Sequence, residues 1–175
     1  MTNLNNQTIA NNRLGILTIS DSGFKEELVD VSGDQIESMA EQAGFIKHLR
    51  AIVPDESHLI SEKLADWCDS GQVDIIFTTG GTGLGPRDVT PEATKSILDI
   101  EISGISEIIR TQTYSMTPFA MLSRATSGIR SGCLIVNLPG SPKGVKECLG
   151  VFLPNSFHAL EMIRGWKTHD DPRAN

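Results

Sequence analysis

The residues best suited to chemistry lie between positions 75 and 94, in the stretch IIFTTGGTGLGPRDVTPEAT. An apolar run leads into glycines at 80, 81, 83 and 85, which leave backbone N–H groups open to a ligand. Thr78, Thr79 and Thr82 add hydroxyl donors. A loop of this kind between a buried strand and a helix start has the geometry of an anion site. A bare glycine cluster is also compatible with a plain flexible turn. Asp88 stands among these donors, where it would repel a phosphate. It either caps the helix that follows or holds a divalent cation. A cation between carboxylate and phosphate turns repulsion into attraction. At ~4 Å and an effective dielectric constant near 20, each unit charge pair contributes on the order of 4 kcal/mol. Mg2+ is the most economical reason for an acid among phosphate donors.

Two familiar glycine loops do not fit. The pattern G-x-x-x-x-G-K-[ST] is absent, so the stretch is not a P-loop. Gly81 and Gly83 are spaced as G-x-G, but Pro86 stands where a dinucleotide-binding fingerprint needs its third glycine. Nor does an acidic residue end the next strand to hold a ribose, which argues against a nicotinamide dehydrogenase.

The elements that must position this loop follow from periodicity. Residues 13–20, 45–54, 73–79 and 133–140 read as strands, three of them as continuous apolar runs. Residues 21–33 read as a loop. Ser32 with Gln35 forms a capping-box pattern, and the helix it opens carries Ile36, Met39, Ala40 and Ala43 on one face before Gly44 stops it. Residues 57–71 give a second amphipathic helix, with Leu59, Ile60, Leu64 and Trp67 together. Thr90 and Pro91 form an N-cap and N1 pair, with Glu92 in the first turn of a helix running to about residue 98. A further helix is expected over 104–115. Residues 117–132 carry both helix and turn signals. Segments 141–153 and 155–165 read as two closing helices. Strands alternating with helices predict an α/β fold with a mainly parallel sheet. In such sheets ligands bind beyond the carboxyl ends of the strands. Segments 20–23, 78–83 and 137–144 would then share one rim.

Bulk properties narrow the function further. A chain of 175 residues suggests one domain, here 13–166 between loose tails at 1–12 and 167–175. The net charge of −7 argues against nucleic-acid binding, which needs a basic face. Cys68, Cys133 and Cys148 have the spacing of neither a zinc site nor a disulfide framework. The four histidines show no metal-ligand spacing. The N-terminus lacks the pattern of a signal peptide, and no apolar run approaches the ~18 residues of a membrane span. No membrane association is expected, and the expected location is the cytoplasm.

With the segments GILTISDSG, VPDE, TTGGTGLGPRDVTPEAT, AMLSRATSGIR and LIVNLPGSPKGVKECL in this order, the sequence resembles the molybdopterin adenylyltransferases of molybdenum cofactor biosynthesis. The resemblance covers roughly residues 13–165. It implies a three-layer α/β/α sandwich with a mainly parallel central sheet, usually assembled as a homotrimer. It implies transfer of AMP from Mg-ATP to the terminal phosphate of molybdopterin, with release of pyrophosphate and delivery of the product to a molybdenum-insertion protein. A non-catalytic molybdopterin-binding relative of the same fold is the alternative.

Residue by residue, the resemblance implies that Asp88 and Asp55 are needed for catalysis and that Ser123 serves pterin binding. Gly80, Gly81, Thr82 and Gly83 match the phosphate-side loop. Asn137, Pro139, Gly140, Ser141 and Pro142 match the segment lining the nucleotide and pterin cleft. The attacking group is a substrate phosphate, so no protein nucleophile is required, and positioning and charge neutralisation dominate. Asp88 and Asp55 would hold Mg2+ against the triphosphate. Arg87, Arg124 and Lys143 are candidates for charge-assisted phosphate contacts, or else solvated surface cations. Asp55 could instead cap the next helix, and Ser123 could make a local bond to the backbone.

Overall fold

The computed structural model describes residues 12–25 and 28–165. The expected tails at 1–12 and 167–175 lie outside the described residues, apart from Asn12. Strands β1 (Arg13–Ile19), β3 (Ile75–Thr79) and β6 (Cys133–Leu138) are apolar at successive positions and buried almost throughout. That pattern suits parallel strands covered on both faces. With β2 (Ile46–Val53) they form the parallel part of a six-stranded sheet of order β2-β1-β3-β6-β5-β4. Strands β4 (Ile100–Glu101) and β5 (Ser127–Arg130) complete it in antiparallel pairing.

Successive side chains on each strand go to opposite layers. Leu14, Ile16, Phe77, Leu134 and Val136 pack against Ile36 of α2 (Val31–Ala43), Ile109 of α5 (Ser103–Thr113), and Leu149 and Phe152 of α6 (Pro142–Ile163). Leu17, Ile19, Ile76 and Ile135 pack against Ile60 and Leu64 of α3 (Ser57–Asp69) and Ala93 of α4 (Thr90–Lys95). The result is the expected three-layer α/β/α sandwich, with its core on both faces of the central strands.

Several local expectations are corrected. Residues 21–33 are not all loop: a one-turn helix, α1, spans Asp21–Phe24. Asp30, not Ser32, caps α2, with its carboxylate accepting from the Gly33 amide at 2.9 Å. The Ser32 hydroxyl is engaged elsewhere, donating to the carbonyl of Gly140 at 2.7 Å. Thr90 is inside α4 rather than at its cap, because its hydroxyl donates to the Gly80 carbonyl at 2.9 Å. That helix ends at Lys95, short of residue 98. The closing segments form one helix, not two, with Pro154 inside it. Proline removes a hydrogen bond and crowds the carbonyl four residues back. Here that residue is Gly150, which is exposed, while Phe152, Ser156 and Leu160 carry the buried stripe across the join. Residues 117–132 hold a 3-10 turn at Pro118–Leu122 and then β5. Ser131 and Gly132, both at positive φ (48° and 78°), join β5 to β6 as a two-residue hairpin.

Candidate active site

The register places Thr18 beside Thr79 and Thr79 beside Leu138, so β1, β3 and β6 end together. The three segments expected on one rim do share it. The chain goes from β1 outward to β2 and then returns to β3 on the other side of β1. Such a reversal opens a crevice at the strand ends.

Glycine builds the floor of that crevice. Gly80 has φ of 100°, and a Cβ there would come within 2.2 Å of the Ile19 carbonyl oxygen. Gly81, at φ of 63°, accepts through its carbonyl from the Thr90 amide at 3.1 Å. Across the crevice a Cβ on Gly140 would lie 3.3 Å from the Gly80 Cα. The Thr79 hydroxyl donates to the Pro139 carbonyl at 2.7 Å. Asn137 is buried beneath this floor, where its amide donates to the hydroxyls of Thr78 at 2.9 Å and Thr94 at 3.0 Å. The glycine loop and the Pro139–Pro142 segment are therefore one rigid unit.

Three carboxylates stand over the loop. Asp21 and Asp55 cap each other: the Asp21 amide donates to the Asp55 carboxylate at 2.9 Å, and the Asp55 amide to the Asp21 carboxylate at 3.0 Å. Asp55 makes no cap bond to α3. Burial pushes the Asp55 carboxyl up, and the negative charges of Asp21 and Asp88 add to the push. Both acids flank the glycine loop: a Cβ on Gly81 would lie 3.3 Å from the Asp55 carboxylate, and one on Gly83 3.1 Å from the Asp88 carboxylate. The Asp88 carboxylate accepts from the Gly85 amide at 2.7 Å, while the Asp88 amide donates to the Gly85 carbonyl at 3.0 Å. It folds its own loop and does not cap α4, whose N-cap position is Val89. Arg87 bridges Asp21 at 2.9 Å and Glu56 at 2.9 Å, and its guanidinium holds the Asp21 carboxyl below the usual carboxylate range.

The Pro139–Pro142 segment forms a ridge with a cleft on each side. One cleft, of about 390 Å3, is lined by Thr18, Ser20, Asp30, Thr79, Gly80 and Gly140 among others. The other, of about 260 Å3, is lined by Arg110, Phe119, Ser123, Pro139, Ser141 and Lys143 among others. Ser123 accepts from the Ala125 amide at 3.3 Å, so the local backbone bond coexists with a place on the cleft wall. The Ser141 hydroxyl accepts from the Gly144 amide at 3.1 Å and caps α6 at the crest. Lys143 is well exposed beside Glu147 at 3.8 Å. Arg124 is turned inward: its Nε donates to the Gly83 carbonyl at 2.6 Å, and its two terminal nitrogens engage the Asp88 carbonyl and the Glu92 carboxylate. Thr82, buried, accepts through its carbonyl from the Arg124 amide at 2.9 Å.

Sequence reasoning missed Asp21, Asp30, Arg110 and the mooring role of Thr90. Asp21 was within sight, since its segment belongs to the expected rim. Asp30 offered a local cap signal, three residues before Gly33, but its bonds to Thr18 at 2.9 Å and Arg50 at 2.8 Å are distant in sequence, as is the bond of Arg110 to the Ala125 carbonyl at 2.8 Å.

The donor set bears on Mg2+. Among the described residues no three His, Cys, Asp or Glu side chains cluster as a closed metal cage. Mg2+ is commonly held by one or two carboxylates plus substrate phosphates. Asp55 and Asp88 above a phosphate-type loop fit an ion carried in on a polyphosphate.

Comparisons with known proteins agree with this fold. The family model described as a probable molybdopterin binding domain matches residues 15–158. A molybdopterin adenylyltransferase of Helicobacter pylori (strain J99) is 38% identical over 154 residues, covering 87% of this chain and 88% of the relative. The molybdenum cofactor synthesis protein cinnamon of Drosophila melanogaster is 41% identical over 163 residues, but the match spans only 27% of that longer protein. The crystal structure of the molybdopterin biosynthesis enzyme MoaB from Thermus thermophilus superposes with a TM-score of 0.83 at 45% identity, covering 89% of this chain and 99% of that one.

Proposed function

The chain belongs to the molybdopterin-binding domain family, and from that premise we propose that it transfers the adenylyl group of Mg-ATP to the terminal phosphate of molybdopterin. The products are adenylylated molybdopterin and pyrophosphate. One observation carries most of the reading: an acid-bearing glycine loop and a ridge with a cleft on either side meet at the strand ends. Two substrates must meet in this reaction, and two clefts beside one ridge support that reading.

In the reaction a terminal phosphate oxygen of the pterin substrate bonds to the α-phosphorus of ATP. The bond from that phosphorus to the bridging oxygen breaks, and pyrophosphate leaves with the electron pair. No side chain forms a covalent bond. The amides of Gly81 to Gly83 would orient phosphate oxygens with little reorganisation, since the Gly80 amide donates to the Leu138 carbonyl at 3.4 Å and the Gly81 carbonyl accepts from the Thr90 amide at 3.1 Å. Asp55 and Asp88 would hold Mg2+, which supplies charge neutralisation to the triphosphate when bound. Ser123 would donate to the pterin substrate from the wall of the smaller cleft. Lys143, exposed at that cleft's mouth, supports a phosphate contact. Arg87 would exchange a carboxylate partner for phosphate when nucleotide enters.

We extend the proposal to a homotrimer in the cytoplasm that passes its product to a molybdenum-insertion protein. The exposed apolar side chains Tyr114, Met116, Phe119 and Met121 support association with another protein surface. The test of the central reading is direct. Protein, Mg-ATP and molybdopterin are mixed and pyrophosphate is measured; release should require both substrates, and none above a protein-free control would defeat the proposal.

A further inference from the structure

We propose that Arg124 is a positioning residue that locks the Asp88 loop to the wall carrying Ser123, so that the acid and the serine keep a fixed relation during the reaction. This rests on the adenylyl-transfer reading above. It differs from a phosphate contact, the role its charge alone suggests.

A guanidinium carries five N–H donors in a planar fork, which can join separate acceptors in fixed geometry. Here Nε reaches the Gly83 carbonyl at 2.6 Å, one terminal nitrogen the Asp88 carbonyl, and the other the Glu92 carboxylate. The Arg124 amide adds a bond to the Thr82 carbonyl at 2.9 Å. One residue thus ties four points across residues 82–92 in the glycine loop and the start of α4. Each nitrogen of the fork faces a protein acceptor, which leaves the group poorly placed to meet a substrate phosphate as well.

The other end of the tie is the smaller cleft. Ser123 precedes Arg124 and lines that cleft. Ala125 follows it, and its carbonyl accepts from Arg110 of α5 at 2.8 Å. Residues 123–125 form a strap, moored to α5 by Arg110 and to the glycine loop by Arg124. The Ser123 hydroxyl on the wall of the smaller cleft and the Asp88 carboxylate of the glycine loop are therefore mounted on a single connected piece. A transfer between two bound phosphates depends on their alignment, and a displacement of about 1 Å can lower the rate about 100-fold.

The experiment compares wild type with Arg124→Lys and Arg124→Ala. Lysine keeps the charge but cannot reproduce the fork. The expected result is a fall in kcat of about 100-fold for both variants, with KM for either substrate changed only a few-fold. Faster hydrogen exchange at the amides of Gly85 and Asp88, measured without substrate, should accompany it. If Arg124→Lys restores wild-type kcat, or if Arg124→Ala acts mainly through KM, Arg124 contacts phosphate and the proposal is overturned. Unchanged exchange at Gly85 and Asp88 in the folded lysine variant would overturn it equally. Should the wild-type protein release no pyrophosphate, the functional reading fails separately, and the exchange measurement still decides whether the clamp exists.

Discussion

At Asp88 the carboxylate accepts from the Gly85 amide, in the tight loop where Gly83 and Gly85 leave it room. A side chain on Gly85 would place its Cβ 2.7 Å from that carboxylate. Glycine and acid therefore belong to one device. Replacing Asp88 by Ala should lower kcat by at least about 100-fold while leaving molybdopterin affinity within a few-fold, as equilibrium binding and turnover on the same preparation would reveal. Retention of most turnover would show that the carboxylate does not serve the triphosphate. Ser123 acts on the other substrate. Ser123→Ala should raise KM for molybdopterin about tenfold, the value of a hydrogen bond to a charged group, with KM for ATP little changed. The acid at 88 was legible from sequence because a carboxylate among phosphate donors is anomalous on its own. For Asp21 the sequence offered only a place on the rim; its role comes from reciprocal caps with Asp55, which is 34 positions away.

Among the elements, the parallel strands announced themselves through unbroken apolar runs, and Gly44 at φ of 103° ends α2 as its sequence position implied. The two misplaced caps have a common physical origin. Ser32 and Thr90 are good caps in isolation, yet each donates its hydroxyl to the backbone of the site, at Gly140 and Gly80. Tertiary partners prevail over local ones. The hairpin at Ser131 and Gly132 was available from the Ser-Gly pair between two apolar stretches, but the helix signals before it masked that turn. The same logic makes Gly80 the most demanding backbone position. Gly80→Ala should destabilise the fold by at least about 2 kcal/mol, read as a lower urea midpoint, because a Cβ would collide with the Ile19 carbonyl. A stability equal to wild type would mean that the loop has room to move.

Across the whole molecule, the end of the sheet opposite the rim is fastened by an ion-pair cluster. Asp74 lies just before β3, away from the rim, and accepts from the Arg13 amide at 2.8 Å and side chain at 3.1 Å, with Arg164 of the closing segment at 3.4 Å. Burial pushes the Asp74 carboxyl up, but the bonds from Arg13 outweigh it and hold it below the usual carboxylate range. A lowered folded pKa gives stability that is present above the unfolded carboxylate pKa and is lost as pH falls through the folded value. Asp74→Asn should therefore lower the thermal midpoint at neutral pH, and the gap to wild type should close as pH drops below about 4. A gap independent of pH would assign the effect to packing. The most direct test of the central claim follows the phosphorus itself. With ATP labelled at the α-phosphate, the label should move into molybdopterin, while label at the γ-phosphate should leave as pyrophosphate. Label at the α-phosphate that stays with free nucleotide, with molybdopterin present and bound, would contradict the account.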